Sequence, residues 1–102
     1  MRVTFSLQAL EDLDKISSYI ENRLKNPIAA HNTVIKILQR TNLLKNFTDL
    51  GKVLEINNDF IKDYRFLNTN NNYLIIYKIT GKEVIVVRIL YSRSDYKKLL
   101  NI

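Results

Sequence analysis

Val3 and Phe5 alternate with Arg2 and Thr4, the period-two pattern of a short strand. Ser6 follows where a helix cap belongs. Leu10, Leu13, Ile16, Ile20 and Leu24 then recur at spacings of three and four, which places them on one side of a helix. Glu11, Asp12 and Asp14 fall early in that helix, where its dipole favours negative charge, and Arg23 and Lys25 fall at its end. Asn26-Pro27 is a restart: asparagine caps, and proline suits the first helical position because its missing N–H would have no partner there. The stripe Ala30, Val34, Ile37, Leu38, Thr41 and Leu44 predicts a second helix to about Lys45. So short a connection makes the two helices antiparallel neighbours.

The period then changes. Segments around Phe60–Leu67, Tyr73–Ile79 and Glu83–Tyr91 are rich in β-branched and aromatic residues. The connections Asn68–Asn72 and Thr80-Gly81-Lys82 are short enough to make them an antiparallel meander. Ser94–Leu100 has room for a terminal helical turn. The expected fold is α+β in the order β-α-α-β-β-β. An N-terminal antiparallel helical hairpin packs on one face of a small, mainly antiparallel sheet, and the other face is free for function. On the last strand, plain alternation puts Ile85, Val87, Ile89 and Tyr91 on one face and Val84, Val86, Arg88 and Leu90 on the other. Arg88 then stands in apolar company, which calls for an ion pair, with Asp12 of the first helix as a partner.

A length of 102 residues with two glycines and one proline fits a single domain, 1–102, with no linker. The chain has no cysteine, which excludes disulfides, thiolate metal sites and cysteine nucleophiles and suits a cytoplasmic location. Its first residues do not read as a secretory signal, and apolar runs such as Val84–Val87 are too short to cross a membrane. Sixteen basic against ten acidic residues give a net charge of +6, an attraction for a polyanion or an acidic protein alike.

No glycine-rich loop offers a phosphate cradle, and the one histidine, His31, cannot build a metal cluster. Neither a cofactor nor a metal is expected. What remains is a basic and aromatic set on the sheet and tail: Lys62, Tyr64, Arg65, Lys78, Arg88, Tyr91, Arg93, Tyr96, Lys97 and Lys98. Arginine clamps phosphate and tyrosine stacks on bases. Such a set could cleave RNA through its own 2′-hydroxyl, with arginine steadying the phosphorane and tyrosine or lysine moving protons. It could equally hold DNA or an acidic protein without chemistry.

Taken end to end, the chain resembles the RelE/ParE toxin superfamily. The resemblance runs through Ala9-x-x-Asp12-Leu13-x-x-Ile16-x-x-Tyr19-Ile20, Asn26-Pro27-x-Ala29-Ala30 and Leu44-x-x-Phe47 followed by Gly51. It continues in Tyr64-Arg65-x-Leu67, Asn72-Tyr73-x-Ile75-x-Tyr77 and Val87-Arg88-Ile89-Leu90-Tyr91-x-Arg93-x-Asp95-Tyr96. The resemblance implies the toxin of a bacterial type II toxin–antitoxin pair: growth-inhibiting, cytoplasmic, and held in a hetero-oligomer by an acidic antitoxin from the adjacent gene.

Two activities occur in that superfamily. RelE-like members cut mRNA on the ribosome, and ParE-like members poison DNA gyrase. RelE-like toxins carry an arginine directly after the tyrosine of the central strand, and here Tyr73 is followed by Leu74. Arg65 and Arg93 match two other basic positions, and Tyr96 matches a tail tyrosine loosely. The helix break and the Arg-x-Asp tail look more ParE-like. On the ParE-like expectation Arg65, Tyr91, Arg93, Tyr96, Lys97 and Lys98 bind the target and nothing is catalytic. On the ribonuclease alternative Arg65, Arg93 and Tyr96 do the chemistry. A non-toxic interaction protein that keeps the fold is the third alternative.

Overall fold

A computed structural model describes residues 1–69 and 72–93. Strand β1 (Arg2–Phe5) leads into helix α1 (Leu7–Ser18), which continues as a π-helical turn (Tyr19–Arg23). Helix α2 (Pro27–Asn42) follows and ends in a 3-10 turn (Leu43–Lys45). Four strands complete the described chain: β2 (Lys52–Ile56), β3 (Asp59–Asn68), β4 (Tyr73–Ile79) and β5 (Glu83–Tyr91). The α+β class, the helical hairpin and the three expected strands are all present, with β2 as an additional strand. The sheet order is β1-β5-β4-β3-β2, antiparallel except where β1 pairs with β5.

Both expected caps form. The Ser6 hydroxyl accepts the Ala9 N–H at 3.1 Å and donates to the Val87 carbonyl at 2.8 Å, so one side chain starts α1 and ties it to β5. The Asn26 side chain accepts the Ala29 N–H at 3.0 Å, with Pro27 just inside the helix. The three acids of α1 lie beyond its first turn, so the dipole does not explain them. Asp12 instead leaves α1 to meet β5.

The helix-facing core gathers Ala9, Ile37, Leu44, Leu67, Ile75, Tyr77, Val84, Val86 and Ile89. Leu10 and Leu24, expected in the buried stripe, flank it and stay exposed. The opposite face of the sheet is not free. It carries a second buried cluster of Leu54, Ile56, Leu74, Ile76 and Leu90, with Ile61, Tyr64, Phe66 and Val87 against it. β2 supplies two of these residues, which is why a chain read without β2 leaves that face bare.

Plain alternation also fails on β5. Ile76 pairs with Arg88 while the next residue, Tyr77, pairs with Val86, so Val87 is an extra residue in a β-bulge. The bulge shifts the phase. Ile89, not Arg88, shares the helix-facing core with Val84 and Val86. Beyond Val86 the edge of β5 has outrun β1, and α1 completes it: the Asp12 carboxylate accepts the Ile89 N–H at 2.9 Å. It also accepts Arg88 through Nε at 2.8 Å and NH2 at 3.0 Å, the ion pair expected from sequence. That pairing raises the Arg88 pKa and keeps the guanidinium charged.

Candidate target-binding site

At one end of the sheet three tyrosines meet. Tyr73 and Tyr91 are directly paired across β4 and β5, their rings edge to face with centroids 6.1 Å apart. Tyr19 opens the π-helical turn after α1, a turn whose extra residue re-aims the side chains around it. The three line a groove of about 750 Å³ together with Ile16, Ile20 and Leu24. Tyr91 keeps 45% of its surface exposed. Burial, with Tyr91 and Tyr19 alongside, pushes the Tyr73 phenol up from its ordinary value. A groove of this kind holds an apolar or aromatic anchor and offers hydroxyls at its rim.

β5 ends here. The Ser92 N–H donates to the Asn72 carbonyl at 2.9 Å, and Arg93 stands exposed two residues beyond Tyr91. Of the expected target-binding set, Tyr91 and Arg93 therefore sit together. Tyr96, Lys97 and Lys98, with the expected terminal turn, lie outside the described residues.

Arg65 is elsewhere. It pairs across from Tyr77, four residues along β4 from Tyr73, or about 13 Å of strand. Its NH1 donates to the Gly51 carbonyl at 2.7 Å. Tyr77, fully buried, accepts the Gly51 N–H at 2.9 Å and donates to the Thr48 carbonyl at 2.8 Å. Arg65 and Tyr77 thus clamp the loop between α2 and β2. Gly51 is required there, because a Cβ would stand 2.4 Å from the Phe66 carbonyl oxygen and 2.8 Å from the Tyr77 hydroxyl. Two other sheet cations are engaged too, while Lys62 is exposed on β3. Lys78 lies 5.5 Å from the centre of the Tyr64 ring, and Arg88 serves Asp12. Leu74, at the position where RelE-like toxins carry arginine, is 4% exposed inside the second cluster.

His31 is exposed on α2. Among the described residues no group of three histidine, cysteine or carboxylate side chains is placed to hold a metal. The groove residues Tyr19 and Tyr73 enter the sequence reading only through the family resemblance and are not in its target-binding set. The meander could have supplied one of them, since pairing β4 with β5 sets Tyr73 beside Tyr91.

This is the architecture of a small α+β domain, a two-helix hairpin backed by a five-stranded sheet. The model for the ParE toxin of the type II toxin–antitoxin system parDE matches residues 3–96, and the chain belongs to that family. A solved chromosomal ParDE toxin–antitoxin system from P. aeruginosa shares 22% identity over 89% of this chain and 95% of its own, with a TM-score of 0.75. The E. coli DinJ–YafQ complex gives 20% identity over 89% and 93%, with a TM-score of 0.59. The RelB–RelE antitoxin–toxin complex of Methanococcus jannaschii gives 20% over 93% and 96%, with a TM-score of 0.53. At these identities the structures speak to the fold alone. No curated protein sequence matches the chain.

Proposed function

We propose that this chain is a ParE-like toxin that inhibits growth by binding DNA gyrase, not by cutting RNA, and that an acidic antitoxin neutralises it in the cytoplasm. The observation that carries this reading is the commitment of Arg65 to the fold, with a buried leucine where RelE-like toxins carry arginine. Arg65 is committed to the Gly51 carbonyl and Leu74 is packed into an apolar cluster. A nuclease needs its charges aimed at one phosphate, in reach of one attacking hydroxyl. The binding surface on this reading is the tyrosine groove with Tyr91 and Arg93; Tyr96, Lys97 and Lys98, which belong to the expected set, follow in sequence outside the described residues. Exposed aromatics beside arginine are the composition of an interface centre.

The test is induced expression with two readouts. DNA breakage and loss of gyrase supercoiling in vitro, with ribosome-bound mRNA intact, are expected. Arg93→Ala is expected to keep the circular dichroism spectrum and melting temperature of the parent while growth inhibition falls. Codon-specific mRNA cleavage that disappears in Arg93→Ala would establish the ribonuclease. Full growth with a folded parent chain would leave a non-toxic interaction protein.

A further inference from the structure

Among the described residues Lys15 is the one charged side chain that lines the tyrosine groove. Exposed Arg23 lies in sequence between the lining residues Ile20 and Leu24, and exposed Arg93 follows Tyr91 by two. The far end of β3 carries a feature that target binding does not use. Phe60, beside the turn between β2 and β3, leaves 72% of its surface in water. Glu55 is paired directly across from it, and Val53, 40% exposed, lines the same shallow hollow. The stretch Glu55–Ile61 holds two carboxylates, Glu55 and Asp59, and no cation; Lys52 and Lys62 lie outside it. Asn57 and Asn58 form the turn, with φ angles of 54° and 67°, a tight connection that fixes the tip. A phenyl ring held out on a fixed turn adds little to the core and is poised for burial by something else.

We infer that the chain associates head to tail, the β2–β3 tip of one copy seating Phe60 in the tyrosine groove of the next. Tip and groove match in chemistry. A phenyl ring packs edge to face among tyrosines, as Tyr73 and Tyr91 already do with each other. Glu55 and Asp59 of the tip are opposite in sign to Lys15, Arg23 and Arg93 at the groove. The side-chain amides of Asn57 and Asn58 can exchange hydrogen bonds with the tyrosine hydroxyls. The occupant is a second copy because the tip cannot reach its own groove. β3 runs from Asp59 at the tip to Asn68, which pairs with Leu74 beside Tyr73, so about 30 Å of strand separates the two. Complementary surfaces at opposite ends of one molecule make a heterologous contact, which grows as a chain or closes as a ring. Both surfaces are small, so the contact is weak and fills only at high concentration. That it also hides the target-binding surface rests on the function proposed above; the contact stands without it.

The test is sedimentation equilibrium of the full chain from about 10 μM to about 1 mM, the range of weak contacts. The average mass of the parent should rise through that range. Phe60→Ser, which spoils the tip, should weaken association at least about tenfold. Lys15→Glu with Arg23→Glu, which spoils the groove, should do the same. Mixed together, the two variants should form a dimer of one copy of each and nothing larger, since one keeps an intact groove and the other an intact tip. All three sites are exposed, and Lys15→Gln with Arg23→Gln serves if the charge reversal disturbs folding. A parent that stays monomeric at the highest concentration would overturn the inference. So would association that survives Phe60→Ser, a mixture that stays monomeric, or association lost in Phe60→Ser but kept in the groove variant, the sign of a two-fold contact between tips. Growth inhibition separates the two readings. A toxic chain that stays monomeric loses only the head-to-tail contact. A chain that associates as expected but inhibits neither growth nor supercoiling loses only the toxin reading.

Discussion

Replacing Asp12 with alanine should cost this fold about 3 kcal/mol, because breaking a buried ion pair from one side costs about 3–5 kcal/mol. Asp12 is 7% exposed and holds Arg88 twice and the Ile89 N–H once. Its loss takes two bonds from the Arg88 guanidinium and one from the Ile89 N–H, on the stretch of β5 that β1 does not flank. The lower end of the range applies because the Arg88 side chain keeps 18% of its surface in water. Arg88→Met should cost about as much, about 3 kcal/mol, because it leaves the more buried Asp12 carboxylate with the Ile89 N–H but without its cation. The double variant should be less destabilised than the two singles added, with a coupling of about 1–3 kcal/mol. Urea unfolding followed by far-UV circular dichroism measures all four corners of the cycle. A domain of this size has about 5–10 kcal/mol to lose, so the Asp12→Ala midpoint should move by a large fraction of its value. A loss below about 1 kcal/mol for Asp12→Ala, or additive singles, would refute the argument that α1 completes the β5 edge through this carboxylate.

Gly51→Ala should destabilise by about 1–3 kcal/mol in the same assay, because its methyl meets the Phe66 carbonyl, which is backbone and cannot swing aside. Tyr77→Phe should cost about 2 kcal/mol by leaving the Gly51 N–H and Thr48 carbonyl without their partner. Burial raises the Tyr73 and Tyr77 phenols, so the folded chain holds those protons more tightly than the unfolded one. The associated stability is present below about pH 10, where unfolded tyrosine titrates, and is lost as pH rises through the raised values. Melting temperature against pH should fall above that point, and less steeply in Tyr77→Phe. Leu74→Arg, which restores the RelE-like residue, should cost about 3 kcal/mol or more by burying an unpaired charge. It should give no mRNA cleavage, and a folded variant that does cleave would remove the main support for the binding reading.

The elements that sequence makes legible are those set by local rules. Ser6 and Asn26 cap where the apolar stripes begin, and Asp12 and Arg88 find each other because a charge in each apolar element has few other ways to be satisfied. The losses have physical reasons too. β2 is short, and its turn with β3 is Asn57-Asn58, both in the left-handed region, a hairpin connection without the glycine that usually announces one. The Val87 bulge leaves no mark in composition, yet it reverses the faces of everything after it. Arg65 was legible as a basic residue in a strand. Its commitment depends on where Gly51 lies, and that is a long-range fact. The tyrosine groove depends on a π-helical turn, whose extra residue no simple periodicity contains.

The same distinction narrows where a target can be held. The chain has six arginines, at 2, 23, 40, 65, 88 and 93. Four of them are spent on the fold. Arg2 meets Glu83, Arg40 donates to the Asn68 carbonyl, Arg65 to the Gly51 carbonyl, and Arg88 is held by Asp12. Sequence treats all six as equal members of a basic surface. In the structure Arg23 and Arg93 are the two that stand exposed without such a bond to another described residue. Arg23 closes the turn that Tyr19 opens, and Arg93 follows Tyr91 by two residues. By chain position both uncommitted arginines border the tyrosine groove. A guanidinium with no bond to another described residue gives up no such contact when it turns to a ligand, whereas Arg65 or Arg88 would have to release a carbonyl or a carboxylate first. The uncommitted arginines therefore stand at the same end of the molecule as the exposed rings of Tyr19 and Tyr91, while exposed lysines such as Lys36, Lys52, Lys62 and Lys82 spread further charge over the other faces.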